Sequence, residues 1–279
     1  VVIGGGTAGL EAACTAAEVG CNTFLLEKGN ELGGLASLIS KIPAKNRLAD
    51  FPHYLMHRAE QLDNLYIFKN TEGTPENIRK FHPNIIVSST GSAPLLPPIA
   101  GLKDRIDNEN HNIYSILGMI SHINDFPKDL EGKKVVVVGG GAVGLDVVEF
   151  FADRNADISI VEMMDQIGRD LDPVSKNDTK TMMKKHNVHQ LTKTALLEVK
   201  DSSFLVRGDG EPYELPFEYG FVCLGMRAQG QLYQSLTEEF SSEDVEIMNI
   251  GDSQRARRII DGTQEGRNIL TILEQKGYL

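Results

Sequence analysis

Three cysteines, Cys14, Cys21 and Cys223, are all that 279 residues contain, and no C-x-x-C pair occurs among them. That excludes a disulfide-built scaffold, fits a reducing compartment and leaves no redox motif of the thioredoxin kind. Basic charge is also short, with 28 Lys and Arg against 39 Asp and Glu and a formal net charge of −11. That sign excludes generic attraction to nucleic acid or to an anionic membrane surface. No apolar run is long enough to span a bilayer, and the first residues carry no signal-peptide pattern. The expectation is a cytoplasmic globular protein. Metal chemistry lacks a ligand set as well. His53 and His57 stand four apart, but no acid lies between them and no third ligand is evident, so both read as surface residues. No acid–base dyad stands out, and no catalytic residue is assigned.

What the chain does have is 41% hydrophobic residues, length for two domains, and one phrase written twice. Residues 1–13 read VVIGGGTAGLEAA, and residues 133–151 read KKVVVVGGGAVGLDVVEFF. At a constant offset of 135, Gly4, Gly6 and Gly9 fall on Gly139, Gly141 and Gly144. Leu10 falls on Leu145, Glu11 on Asp146, Ala17 on Ala152 and Glu27 on Glu162, with no insertion. Gly20 meets Asn155, the two residue types that best end a helix in the left-handed conformation.

Each copy reads as strand, glycine turn, helix, strand. Residues 1–3 and 135–138 are the continuous β-branched runs of strands buried on both faces. In G-x-G-x-x-G the first glycine makes the tight turn, the second admits a pyrophosphate to the backbone, and the third lets helix pack on strand. The helix N-terminus then offers free N–H groups and the positive end of its dipole. Strands at 22–26 and 157–161 follow, each leading to an acid, Glu27 or Glu162, able to bind ribose hydroxyls. The first copy has one strand residue fewer than the second and no methionine, so the start at Val1 reads as cut.

Further signals come in a fixed order. A second glycine pair, Gly33-Gly34, follows Glu27 in KGNELGGLASL; a buried strand at 85–88 leads to Ser89-Thr90-Gly91 and a proline-rich crossover; near the C-terminus a strand meets Gly251-Asp252 and then a helix. The fingerprints, Ser89-Thr90-Gly91, Cys223-Leu224-Gly225-Met226-Arg227 and Gly251-Asp252 occur in this order in two-dinucleotide-domain flavoproteins. The stretches GSAPLLPPIAG (91–101) and VEMMDQIGRDLDP (161–173) are more specific. The chain resembles, over essentially its whole length, the C-terminal FAD/NAD(P)-binding half of the 2,4-dienoyl-CoA reductase, 2-enoate reductase and trimethylamine dehydrogenase family.

The resemblance implies an α/β fold of two Rossmann-like domains, with the NAD(P)H-binding domain (113–242) inserted into a discontinuous FAD-binding domain (1–112 and 243–279). Strand runs at 196–200, 203–207 and 218–223 suit the insert. FAD, or ADP, is expected at Gly4, Gly6, Thr7, Ala8, Gly9, Glu27, Lys28, Gly34, Leu35, Arg47, Thr90, Gly91, Gly251, Asp252, Arg258 and Ile259. Asp252 is expected on the flavin's ribityl chain. NAD is expected at Gly139, Gly141, Ala142, Val143, Gly144, Glu162, Gly225 and Met226. Leu35 departs from the glutamine that relatives often carry there, and Cys223 from their alanine. Whole members of the family also carry an N-terminal β/α barrel with FMN and a 4Fe-4S cluster. Three scattered cysteines cannot supply four thiolates, so both groups are expected in a part preceding Val1.

Glu162 favours NADH, since a carboxylate there accepts from a 2′-OH and repels a 2′-phosphate, and Met163-Met164 follow in place of an arginine. Arg169 is the nearest cation along the sequence. Arg255, Arg257 and Arg258 are expected where a helix starts, against its dipole, which reads either as a solvated basic face or as a group set against an anion such as reduced flavin. The function implied is the electron-input half of a flavin-dependent reductase, passing hydride from NADH to FAD and electrons onward to reduce an activated C=C bond of the 2-enoate or 2,4-dienoyl-CoA type. Two rivals stand beside it: a non-catalytic ADP-binding module, as in trimethylamine dehydrogenase, and a self-contained flavin NADH oxidase or ferredoxin reductase.

Overall fold

A computed structural model describes residues 1–279. From the N-terminus come β1 (Val2–Ile3), α1 (Thr7–Glu18), β2 (Thr23–Leu26), α2 (Gly34–Ile39), a 3-10 helix (Pro43–Ala49), α3 (Asp50–Glu60), β3 (Leu65–Phe68), α4 (Pro75–Arg79), β4 (Ile85–Ser88) and β5 (Ser92–Pro94). The alanine-rich run of α1 is buried on all sides from Gly9 to Ala17, as its small residues allow. The chain leaves α1 through Gly20 at φ +97°. Thr74 caps α4 by accepting the N–H of Asn77, with Pro75 in the first turn where its missing donor costs nothing.

The chain continues through α5 (Leu102–Arg105), β6 (Ile113–Tyr114), α6 (Ile116–Ser121), β7 (Lys134–Val138), α7 (Ala142–Ala152), β8 (Asp157–Val161), α8 (Pro173–Lys185), β9 (His189–Leu191), β10 (Ala195–Val199), β11 (Ser203–Arg207), β12 (Tyr213–Pro216), β13 (Tyr219–Val222) and β14 (Met226–Ala228). Asp172 caps α8 by accepting the N–H groups of Val174 and Ser175. The last stretch holds α9 (Gln231–Glu239), β15 (Glu246–Asn249), a 3-10 turn (Gly251–Ser253), α10 (Ile259–Arg267) and α11 (Ile269–Gln275). No helix is long and apolar enough to cross a membrane.

These elements form two compact units. The first comprises Val1–Lys41, Lys45–Ala93 and Arg227–Leu279, the second Ile42–Ala44 and Pro94–Met226. The changeovers thus fall at 93/94 and 226/227, earlier in the chain than the 112/113 and 242/243 expected from sequence. The proline-rich crossover after β5 already belongs to the second unit. β5 and β14 carry the chain across and pair with each other.

The first unit is built on a parallel five-stranded sheet of order β15-β4-β1-β2-β3. The second is built on a parallel sheet of order β6-β13-β7-β8-β9, with a separate antiparallel sheet β10-β11-β12. The internal repeat holds at the level of strand pairing. Val2 pairs Leu25 and Ile3 pairs Leu26, while 135 residues on Val137 pairs Ile160 and Val138 pairs Val161. Leu10, Leu25 and Val87 are buried in the first core, and Val136, Val161 and Phe204 in the second. Truncating one such side chain to alanine costs about 2–5 kcal/mol.

Candidate functional site

Both glycine turns lie at the carboxyl ends of their parallel strands, the edge where open α/β sheets bind ligands. Gly4 and Gly139 have φ of +103° and +110°. A Cβ on Gly4 would lie 2.4 Å from Ser89 O, and one on Gly139 2.1 Å from Cys223 O. A Cβ on Gly9 or Gly144 would come within 2.0 or 1.9 Å of the carbonyl oxygen of Gly4 or Gly139. Backbone conformation and close packing therefore explain these four glycines.

The middle glycines are different. Gly6 and Gly141 are helix N-caps at φ −72° and −80°, a conformation open to any residue. A Cβ on either would meet nothing within 4 Å. Nothing inside the protein requires glycine at these two places, whereas a group held against the backbone at the helix N-terminus would. The cradle fits a pyrophosphate in both copies.

The two acids do more than the sequence suggested. Glu27 accepts the N–H of Gly5 at 2.7 Å on Oε2 and that of Gly29 at 2.6 Å on Oε1. Glu162 accepts Gly140 N–H at 2.7 Å on Oε2 and Met164 N–H at 2.7 Å on Oε1. Each carboxylate thus ties its glycine turn to the end of the second strand. Two of its four lone-pair positions are used and one on each oxygen stays available to a ribose hydroxyl.

The repeat runs further than the sequence comparison carried it. Gly33 donates to Gly5 O and Gly168 to Gly140 O, both at 2.7 Å, and both glycines have positive φ. Ser89-Thr90-Gly91 and Cys223-Leu224-Gly225 are also counterparts, since Ser89 O and Cys223 O back the first glycine of each turn. Gly91 and Gly225, at φ +74° and +101°, have open space where a Cβ would be.

In the first unit, Ser89 Oγ donates to Ile3 O at 2.8 Å and Thr90 Oγ1 to Gln229 O at 2.6 Å. Asp252 accepts Ser92 Oγ at 2.9 Å and the N–H of Arg257 at 3.0 Å. Glu265 accepts Gly251 N–H at 2.7 Å and pairs with the Arg257 guanidinium. Thr7 and Ala8 open α1, Gly34 and Leu35 open α2, and Gly6 and Gly33 are bridged. Lys28 is exposed. Arg47 stands apart on the 43–49 3-10 helix, exposed and bonded to Asp50 at 3.2 Å. In the second unit Ala142 and Val143 open α7, and Met226 opens β14.

The arginine cluster stands at a helix start, where the sequence put it. Arg255 and Arg257 precede the helix and Arg258 is its N-cap, with α10 beginning at Ile259. Arg257 is neutralised by Glu265, and the exposed Arg258 lies 3.8 Å from Asp261. His53 and His57 lie exposed on α3, with His57 3.6 Å from Glu60, and no group of three ligating side chains gathers around them.

The model of the family described as "Pyridine nucleotide-disulphide oxidoreductase" matches residues 1–247. The chain belongs to that family. Among its relatives, an NADH oxidase of Thermoanaerobacter brockii is 28% identical over 267 residues, which cover 95% of this chain and 39% of the oxidase. A cinnamate reductase of Clostridium sporogenes is 23% identical over 269 residues, 93% of this chain and 37% of the reductase. A solved 2-naphthoyl-CoA reductase shares the fold at a TM-score of 0.81 and 23% identity, over 96% of this chain and 39% of that one. The chain spans about two fifths of the length of these proteins. This bears out the resemblance to the dinucleotide-binding half of larger flavoproteins, an oxidoreductase class binding FAD and NAD(P).

Sequence reasoning missed one ionic cluster. Arg58 on α3 donates to Glu11 at 2.9 Å and to Glu18 on α1, with Thr15 at 3.3 Å and Arg267 3.8 Å from Glu11. The Glu11 side chain is only 6% exposed. The i, i+4, i+7 spacing of Glu11, Thr15 and Glu18 was the signal: three polar residues on one face of a helix of small residues.

Proposed function

We propose that the first unit holds FAD and the second the adenosine and pyrophosphate of NADH, so that the chain is the electron-input part of a flavin-dependent reductase. The observation that carries this reading is the open space before Gly6 and before Gly141, in front of helix N-termini and beside acids with free lone pairs. On the first cradle the contacts fall to Gly4–Gly9 and Glu27, with Thr90, Gly91, Gly251 and Asp252; on the second, to Gly139–Gly144, Glu162, Gly225 and Met226. The hydride chemistry is supplied by the nicotinamide and flavin themselves, so the chain's work is to bind and orient. Its residues need no acid–base pair for that.

NADH is the favoured donor because Glu162 presents a carboxylate to the ribose. The named activities of the relatives differ in acceptor, from cinnamate to a naphthoyl-CoA, while all share this half. That supports an acceptor chosen outside the present residues, with electrons leaving through FMN and a 4Fe-4S cluster in a partner barrel and an activated C=C bond reduced there. The sparse, free cysteines support a cytoplasmic setting.

Anaerobic titration of the purified chain with NADH, followed by its visible spectrum, tests the reading, with bound nucleotide identified after denaturation. Yellow protein bleached by NADH is the expected result. Protein that releases ADP and carries no flavin, and takes none up when FAD is added, overturns it in favour of a non-catalytic module.

A further inference from the structure

The two units can be compared at the loop after the edge strand β3 of one sheet and β9 of the other. In the first, Asn70 N–H donates to Gly29 O and Thr71 N–H to Glu27 O. In the second, Lys193 N–H donates to Met164 O at 2.9 Å and Thr194 N–H to Glu162 O at 3.0 Å. Lys193 is therefore the counterpart of Asn70, and its backbone is bonded to the segment that follows the ribose-binding acid.

Both residues are left-handed, at φ +52° and +51°. Asparagine is a residue that accepts this conformation readily, and lysine is not. Six non-glycine residues of the chain have positive φ; five are Asn, Asp or His, and Lys193 is the exception. A strained backbone at the carboxyl edge of the sheet, carrying an exposed ammonium with no ion-pair partner, points to a function rather than to packing.

We propose that Lys193 is the cation that receives a 2′-phosphate at the second cradle, so that the site takes NADPH as well as NADH. The proposal rests on the reading that this cradle holds the donor nucleotide. Glu162 accepts from the 2′-OH of NADH, and Lys193, one backbone hydrogen bond from Met164, offsets that carboxylate when the ribose carries a phosphate. Along the sequence the nearest cation is Arg169; in the folded chain the loop 192–194 brings Lys193 beside residues 162–164.

The test uses the FAD-loaded protein, titrated calorimetrically with 5′-ADP and with 2′,5′-ADP, and the variants Lys193→Asn and Lys193→Arg. Asparagine is the residue of the equivalent loop, so the fold is retained. Lys193→Asn is expected to raise the Kd of 2′,5′-ADP about fivefold, the upper range for one exposed charge pair, and to leave that of 5′-ADP within about twofold. Lys193→Arg restores the wild-type value. Binding of both ligands by Lys193→Asn as in the wild type overturns the role of Lys193 while the donor site stands. Failure of the wild type to bind either ligand overturns the donor site and this proposal with it.

Discussion

Glu162 accepts the backbone N–H of Gly140 at 2.7 Å, and the matching Glu27 accepts that of Gly5 at the same distance. An acid at the end of one strand thus fixes the turn at the end of its neighbour, before any ligand arrives. Glu162→Gln turns one acceptor oxygen into a donor facing an N–H. We expect about tenfold weaker NADH binding, flavin content as in the wild type, and a loss of about 1–3 kcal/mol in stability. Direct NADH titration with a urea melt measures both. An unchanged NADH affinity would remove the ribose role and leave only the clamp.

The glycines of each fingerprint divide by what constrains them. Gly6→Ala should fold with a melting temperature close to wild type and lose its bound flavin or ADP. Gly9→Ala should fail to accumulate as folded protein, because its Cβ would sit 2.0 Å from Gly4 O. Gly141→Ala and Gly144→Ala should split in the same way, with NADH binding as the readout. Equal destabilisation by both members of a pair would contradict the assignment of the open space to a ligand.

Arg58 holds Glu11 in the interior of the first unit. Arg58→Ala leaves that carboxylate buried without its main partner, and a loss of about 3–5 kcal/mol is expected. Arg58→Met with Glu11→Met should recover much of it. Hydrogen bonding to Arg58 holds the Glu18 carboxyl below its ordinary 4.5. Its contribution is therefore complete above that value and declines as pH falls from about 4.5 through the lower folded pKa. Urea melts from pH 7 to pH 3 should show this decline, flattened in Glu18→Gln, and a pH response identical to wild type would rule out the linkage.

The thiols should react in order of access. Burial pushes Cys14 up to about 11 and Cys223 up to about 12, while the partly exposed Cys21 is raised less, also by burial. Titration with a thiol reagent at pH 8 should label Cys21 slowly in the native protein. The other two should label only in denaturant. Rapid native labelling of Cys223 would show that the end of β13 opens.

Much of this architecture was legible because the repeat is local. The 135-residue offset in Gly4, Gly9 and Glu27 became a shared strand register, and Gly20 and Asn155 both end helices at positive φ. What stayed hidden depends on contacts between distant segments. Glu27 and Glu162 were legible as acids in the right place, but their bonds to Gly5 and Gly140 exist only once the strands lie side by side. The place of Lys193 was invisible because thirty residues separate it from Glu162, whose segment its backbone meets only in the folded chain. The arginines at 255–258 were legible as residues at a helix start, but the pairing of Arg257 with Glu265 was not.

The first unit stays stitched where the chain departs and returns. Gln229 N–H donates to Gly91 O at 2.9 Å, and Thr90 Oγ1 holds Gln229 O at 2.6 Å. Everything from 94 to 226 leaves and re-enters through two neighbouring strands that are already paired, as the two arms of a hairpin would be. Such a seam lets the intervening stretch be excised and replaced by a short turn without parting the strands on either side.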